Sequence, residues 1–323
     1  MESRIILSIC IPTFNRAKYL EDTILSIVKQ KRFKETGEIE IVISDNCSED
    51  NTLEISEKYV DIYGEKIRYY RNSENIKEAN IERVLSLGKG IFLKLNNDTL
   101  MHQDNTLDKI IDSINQNIEK KEIIFFSNGT AKNITKCHCK NLDSFVKTVS
   151  FYSTWIVCFG IWKEDFASID NFDTVVKLQL INDVLFRLIS LNRSVFVDNT
   201  KIFNSISPKS KGGYNFYQVF VANYIGLLEE YRTKEKISWV TLFNEKSRLL
   251  IHFLIPWTLT LWRDKTKYSF NNKRVVVILF KKYRFHPFFY TGAVYILLRI
   301  LIHQLKAFLS PVHNQAIDFL KLH

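Results

Sequence analysis

The chain has 323 residues, 46% of them hydrophobic, with 5 Cys and a formal net charge of +10. That length allows one large domain with additions, or two domains, and the apolar fraction is ample for a core. The start, MESRIILSIC, is too short for a signal segment with a cleavage site, and the few Cys point to a reducing cytosol.

Ile5–Ile11 is a short Ile-rich apolar run closed by Pro12, which reads as a buried strand. Residues 12–16 form a loop, and Ala17–Lys31 is helical, with Leu20, Ile24, Ile27 and Val28 on one face. Glu38–Ser44 is a second strand and ends in the polar run 45–50. A helix over Thr52–Tyr63 and a short strand over Lys66–Tyr70 come after it. The next helix, Asn80–Leu87, is broken by Gly88-Lys89-Gly90 before a fourth strand at Ile91–Leu95. Strands alternating with helices at this spacing predict a parallel sheet with right-handed crossovers, so the polar strand ends gather on one edge.

Beyond this the pattern predicts a helix over Asp104–Asn117 and a strand over Glu122–Ser127. Residues 128–142 read as a loop or hairpin, and Ser153–Ile161 as strand-like. A helix over Leu178–Ser190 and a short strand over Ser194–Val197 come next. Ser205–Gly213 reads as a basic link, and the remainder of the chain is helix-prone and apolar.

The fourth strand ends abruptly in Asn96-Asn97-Asp98-Thr99. A carboxylate with amide neighbours offers only oxygen ligands, which suits Mg²⁺ or Mn²⁺ beside a phosphate. A plain polar turn is the other reading. No Gly-rich phosphate loop comes after the first strand, which argues against a dinucleotide-binding or P-loop site and gives Asp98 more weight. Asp45 suits a base or ribose edge, or an Asx turn; Asp50 reads as a helix cap. Arg16 can pair with a diphosphate or sit as a surface charge. Trp155, Phe159 and Trp162 can stack on sugar faces or pack a core strand. Cys137-His138-Cys139 is too tight for a zinc site.

Four stretches recur in a recognisable order: Pro12-Thr13-Phe14-Asn15-Arg16, Ser44-Asp45-Asn46-Cys47-Ser48-Glu49-Asp50, Arg71-Asn72-Ser73-Glu74-Asn75 and Leu95-Asn96-Asn97-Asp98-Thr99. Together, over about residues 5–200, they resemble the GT-A fold glycosyltransferases of family 2. The resemblance implies an α/β fold with a Rossmann-like, mainly parallel sheet over residues 1–204. A helical C-terminal extension would occupy 205–323. It implies that Thr13 and Asn15 line the nucleotide and that Asp45 contacts uracil or ribose. Pro12, Arg16, Asn75, Asn96 and Asn97 complete the implied nucleotide-sugar site, and Asp98 is the implied ligand of a divalent cation, Mg²⁺ or Mn²⁺. The family's catalytic base is an acid at a helix start some way past this motif. Asp183 matches that place, with Asp173 as its competitor. Two departures stand out: Asn96 replaces the first acid of the family's DxD motif, and its usual Gly after the third strand is missing.

Charge is uneven. Residues 199–323 carry 19 Lys+Arg and 6 Asp+Glu, a net of +13, whereas residues 1–198 are slightly acidic. The two most apolar stretches, Ser247–Trp262 and Pro287–Leu309, do not read as good transmembrane helices. In the second, Arg299, His303 and Lys306 share one face, while Val294, Leu298, Leu301, Ile302, Leu305 and Leu309 share the other, as in a helix lying in a membrane interface. Lys265, Lys267, Lys273, Arg274, Lys281, Lys282 and Arg284 add a polybasic patch. Packing on the catalytic part or on a second copy is the competing reading, and no nucleic-acid module is recognisable.

The expected activity is therefore single addition of a sugar, with inversion, from a nucleotide-diphosphate donor to a hydroxyl of a lipid-linked or growing glycan. Capsule, O-antigen or lipooligosaccharide assembly fits that activity, because the Gln-x-x-Arg-Trp motif of processive synthases is missing. The expected place is the inner face of the cell membrane, with an anionic leaflet as partner and self-association allowed. The alternative is a catalytically weak nucleotide-sugar-binding or scaffold subunit of a membrane-associated polysaccharide assembly.

Overall fold

The computed structural model describes residues 4–169, 180–191, 193–206, 211–264, 266 and 268–321, with the backbone alone at 180, 211 and 306–321. Two compact units emerge: residues 1–209 with 227–241, and residues 210–226 with 242–323. The stretch 227–241 belongs with the first unit.

The first unit is built on a five-stranded sheet. Its parallel part contains β1 (Leu7–Thr13), β2 (Ile39–Asp45), β3 (Ile67–Arg71) and β4 (Phe92–Leu95), in the order β3-β2-β1-β4. Strands covered on both faces read as near-continuous apolar runs, and Ile9, Ile11, Ile41, Ile43, Leu93 and Leu95 are all inaccessible to solvent. The register pairs Thr13 with Asp45 and Asp45 with Arg71, so these strands finish on one edge. The connecting helices are α1 (Ala17–Val28), followed by the short α2 (Lys31–Glu35), then α3 (Thr52–Tyr63) and α4 (Ala79–Ser86). In α1, Leu20, Ile24, Ile27 and Val28 recur at helical spacing and are buried.

Polar groups inside the sheet are satisfied by one another. Buried Glu40 on β2 accepts from Ser8 Oγ (2.6 Å) and pairs with Arg68 Nε (2.9 Å). Gly90 donates its backbone N–H to Ser8 Oγ (2.8 Å), and a Cβ there would lie 2.7 Å from Ser8 N. Close backbone approach is why glycine stands at this bend.

After β4 come β5 (Leu100–His102), α5 (Thr106–Asn117), β6 (Ile123–Phe126), β7 (Lys136–Cys139) and α6 (Leu142–Val149). Next are β8 (Gly160–Trp162), α7 (Lys163–Ala167), α8 (Leu180–Ser190), β9 (Val195–Asp198) and β10 (Phe203–Ser205). Two expectations are corrected here. The stretch 128–142 contains β7, which pairs antiparallel with β9. The long strand expected over Ser153–Ile161 is instead two 3₁₀ turns, Ser150–Thr154 and Ile156–Cys158, with a strand only from Gly160. That strand adds antiparallel to β4, pairing Leu93 with Ile161. Gly160 is needed because a Cβ would meet the Phe92 ring at 2.4 Å.

The second unit contains β11 (Lys211–Gly212) and a π-helical turn over Gln218–Asn223. The chain then runs through α9 (Tyr224–Thr233) and α10 (Trp239–Leu249). The second unit continues with α11 (Ile255–Arg263), β12 (Tyr268–Ser269), α12 (Val275–Tyr283) and α13 (Pro287–Lys321). Tyr224 and Tyr283 are fully buried within it, and the Tyr224 hydroxyl donates to Glu245 Oε1 at 3.0 Å. Helix α13 runs uninterrupted for 35 residues. Its Pro287–Leu305 segment is long and apolar enough to cross a membrane, with a mean hydropathy of 1.4, and only 6% of it is buried. The expectation that neither apolar stretch qualifies is corrected accordingly, since Arg299 is the sole formal charge in the segment.

Candidate active site

The strand-end edge holds a connected set of polar side chains. Asp98, 3% exposed, sits three residues after β4. Its Oδ2 accepts from Thr13 Oγ1 at the end of β1 (2.9 Å), and its Oδ1 accepts from Arg16 Nη1 (3.0 Å). Burial pushes the Asp98 carboxyl above the ordinary range, while Arg16 and Thr13 pull it back. Arg16 remains partly open to solvent, with 39% of its side chain exposed.

Beside Asp98, Asn96 is buried and turned inward. Its Oδ1 lies 2.9 Å from His102 Nε2 on β5, and its Nδ2 donates to Asn97 O (3.0 Å). Burial lowers the His102 pKa to about 3, so the ring is neutral. Since Asn96 Oδ1 is an acceptor, Nε2 carries the proton. The amide oxygen that could stand in for the missing acid is thus engaged in the core.

Asp45, fully buried, ends β2. It accepts from Ser48 N (2.9 Å) and from the Tyr69 hydroxyl (2.7 Å). The contact with Ser48 N is the turn geometry that was the alternative to ligand contact. Asn15, in the left-handed region at φ 52°, stitches the first loop to the second. Its N–H donates to Ser48 Oγ (2.8 Å) and its Oδ1 accepts from Glu49 N (2.7 Å). Asp50 accepts from Ala17 N (2.9 Å) and Thr52 N (3.2 Å), which joins the starts of α1 and α3. Asn75 accepts from Asn46 Nδ2 (2.8 Å) and Lys77 N (2.9 Å) and so shapes the loop after β3. Pro12 and Asn97 are half-buried on the same edge.

Thr13, Asn15, Arg16, Asp45, Asn75, Asn96 and Asp98 are therefore gathered in the loops along one sheet edge. Asp183 stands apart from their hydrogen-bond network among the described residues. It lies in the first turn of α8, is 8% exposed, and pairs with Arg187 Nη2 at 2.5 Å. Burial raises its pKa; Arg187 opposes that and the Glu230 charge adds to it. Asp173, its competitor, lies outside the described residues, as do Lys265 and Lys267. Of the three aromatics, Phe159 and Trp162 are core, and Trp155 is 39% exposed.

Sequence reading overlooked four residues. Tyr69 reaches Asp45, a contact that the pairing of β2 with β3 could have suggested. His102 fixes Asn96. Phe14, between Thr13 and Asn15, is 42% exposed. Lys94 is buried within β4 and donates to Leu95 O (3.0 Å) and Val157 O, with burial lowering its pKa to about 8.

A divalent cation can be tested against this donor set. Among the described residues no group of three His, Cys, Asp or Glu side chains converges on one point. Where β1 and β4 end, the carboxylate is that of Asp98. Mg²⁺ is commonly held by one or two carboxylates, with substrate phosphates and water completing the shell. The residues fit such a site once the Asp98 oxygen held by Arg16 is released.

Residues 8–117 match the family model for glycosyl transferase family 2. Abequosyltransferase RfbV of Salmonella typhimurium is 42% identical over 86 residues, covering 26% of this chain and 25% of that protein. Poly(ribitol-phosphate) beta-N-acetylglucosaminyltransferase TarS of Staphylococcus aureus is 39% identical over 75 residues, covering 23% of this chain and 11% of that protein. The match thus spans a quarter or less of the length of these curated relatives. The crystal structure of S. aureus TarS 1–349 in complex with UDP superposes with a TM-score of 0.53 at 18% identity, covering 80% of this chain and 79% of that one. The same fragment in complex with UDP-GlcNAc gives 0.50 at 20% identity, covering 69% and 67%. At such identities the likeness is one of fold. Residues 8–117 thus match the glycosyl transferase family 2 model, and the fold is similar to that of the solved TarS structures.

Proposed function

We propose that the protein transfers a single sugar from a nucleotide-diphosphate sugar to a hydroxyl of a lipid-linked or growing surface glycan, with inversion. The observation that carries this reading is the Thr13–Asp98–Arg16 cluster at the carboxyl ends of β1 and β4. Ligands in open α/β sheets bind at that edge. The solved fold relatives include complexes with UDP and UDP-GlcNAc, which supports a donor of that class.

Arg16 has a partner to leave and a partner to join. Its guanidinium now neutralises Asp98 and is partly exposed, so it can turn to the donor diphosphate without crossing the core. Asp98 would then hold the cation, which offsets charge on the leaving diphosphate. Asp183 takes the proton of the acceptor hydroxyl. That oxygen bonds to the anomeric carbon as the carbon–oxygen bond to the diphosphate breaks on the opposite face. A raised carboxyl suits this role, because a base works best near the operating pH.

A second reading, a weakly catalytic nucleotide-sugar-binding subunit, draws on Asn96, whose oxygen is engaged by His102 and leaves Asp98 as the motif's carboxylate. One assay separates the two: nucleotide release from a panel of nucleotide sugars, with and without Mn²⁺. We expect turnover with at least one donor and acceptor; binding of donors without release would leave the scaffold reading.

We place the enzyme at the cytoplasmic face of the membrane, held by the second unit. On α12 and in the turn after it, Lys281 and Arg284 are exposed beside Val276, Val277, Phe280 and Phe285, which are also exposed. Basic residues near an anionic leaflet contribute about 1 kcal/mol each. The protein should pellet with anionic vesicles and be released in part by high salt. Reversing Lys281, Lys282 and Arg284 to Glu should weaken pelleting and leave donor hydrolysis near normal. If the full chain ignores anionic vesicles at low salt, the second unit is a packing or self-association element.

A further inference from the structure

The second unit encloses an open cavity of about 410 Å³, in the size range of small-molecule sites. One wall is Leu261 and Trp262 from α11; the other is Tyr268, Phe270 and Val275, from β12 to the start of α12. The polar groups that reach it are few. The Tyr217 and Thr258 hydroxyls bond to each other at 2.8 Å, and Thr258 Oγ1 also donates to Leu254 O (2.7 Å). Asn272 is the remaining polar lining residue. A saccharide needs several converging donors and acceptors, and this lining does not provide them. A hydrocarbon chain needs none.

Two features of the same unit point to the ligand's other end. The same unit carries apolar surface that the described residues leave uncovered. Trp262 packs edge-on against His303 of α13 (5.1 Å), and on α13 Leu297, Leu298 and Leu301 are all more than half exposed. The unit is also strongly basic: residues 210–226 and 242–323 hold fourteen Lys+Arg and three Asp+Glu. Lys273 and Arg274, both exposed, stand in the chain between the lining residues Asn272 and Val275. A mostly apolar slot with two exposed cations in the adjoining chain suits one hydrocarbon chain ending in an anionic head.

We propose that this cavity binds a single isoprenoid or acyl chain of a lipid phosphate, with the chain against Trp262 and Phe270 and the phosphate at Lys273 and Arg274. The site deepens the proposed function by giving a lipid-linked acceptor a place to anchor, yet its test needs no donor and no transfer.

The probe is farnesyl phosphate, kept below its micelle concentration and titrated into the full chain, with tryptophan fluorescence and calorimetry as readouts. We expect saturable one-to-one binding. Leu261→Trp and Val275→Phe, which fill the cavity from opposite walls, should each weaken it at least tenfold, with unchanged circular dichroism showing that they fold. Trp262→Phe should remove most of the fluorescence change while calorimetry still reports binding. Lys273→Glu with Arg274→Glu should weaken farnesyl phosphate but not farnesol. Leu298→Asp, on α13, should leave monomeric farnesyl phosphate bound as before. Absence of saturable binding, equal binding in both folded filling variants, or loss of binding in Leu298→Asp would each overturn the site. Nucleotide release from a donor, measured on the same preparations, reports separately on the glycosyltransferase reading.

Discussion

Asp98→Asn should abolish sugar transfer and leave the fold intact. Asp98 is the carboxylate that stands where β1 and β4 end, and both its oxygens are bonded there, to Thr13 and Arg16. An amide keeps the bond from Thr13 but carries no charge, so it no longer draws a cation to the diphosphate position. Little stability is at stake, because burial already disfavours the ionised form of Asp98. The raised carboxyl gains a proton at a higher pH than an ordinary aspartate, so activity should fail on the acid side while the fold holds. The check is nucleotide release in the presence of Mn²⁺ with a thermal melt alongside. Full activity in the variant, or in the wild type with EDTA, rules out a cation held at Asp98.

The second large effect concerns the base. Asp183→Asn should lower turnover by about 10²–10⁴-fold, the usual worth of general-base catalysis. Donor affinity should survive, since among the described residues Asp183 shares no hydrogen bond with the strand-end cluster, and in the proposed mechanism it acts on the acceptor hydroxyl. Arg187, one turn along α8, orients the carboxylate through their ion pair. Arg187→Gln should therefore move the pH profile of turnover toward higher pH, because the cation that lowers the Asp183 pKa is gone. Turnover and donor binding are measured separately, for example by initial rates and by calorimetry with the donor. Should Asp173→Asn be the inactive variant and Asp183→Asn remain active, the base has been assigned to the wrong acid.

Much of the architecture was legible because its cause is local. A buried parallel strand must be apolar on both faces, so Ile5–Ile11 and Glu38–Ser44 announce themselves. Their polar ends, Thr13 and Asp45, then mark the site edge, and the parallel registers bring them side by side. The helical spacing of Leu20, Ile24 and Ile27 likewise needs no knowledge of what covers them. The failures share a cause too. The strand within Lys136–Cys139 exists because β9 pairs with it, and its own residues carry little β preference. The run before Gly160 is apolar at strand length, yet it forms 3₁₀ turns; an apolar run of that length does not reveal its own backbone.

Sequence alone thus determined the alternation of strands and helices, the edge on which the polar strand ends gather, and the segregation of positive charge into the C-terminal part. Each of these depends on residue type and spacing along the chain. Only the tertiary structure decided what the polar residues do to one another. Arg16 and Asp98, 82 residues apart, meet because β1 and β4 are neighbours. Asn96 is drawn inward because a buried, neutral His102 donates to its amide. Helix α13 leaves its leucines uncovered because none of the described residues of the second unit packs over them. Those outcomes depend on which side chains come within about 3 Å of each other, the reach of a hydrogen bond, and on which surfaces find no neighbour. No window of sequence contains that information.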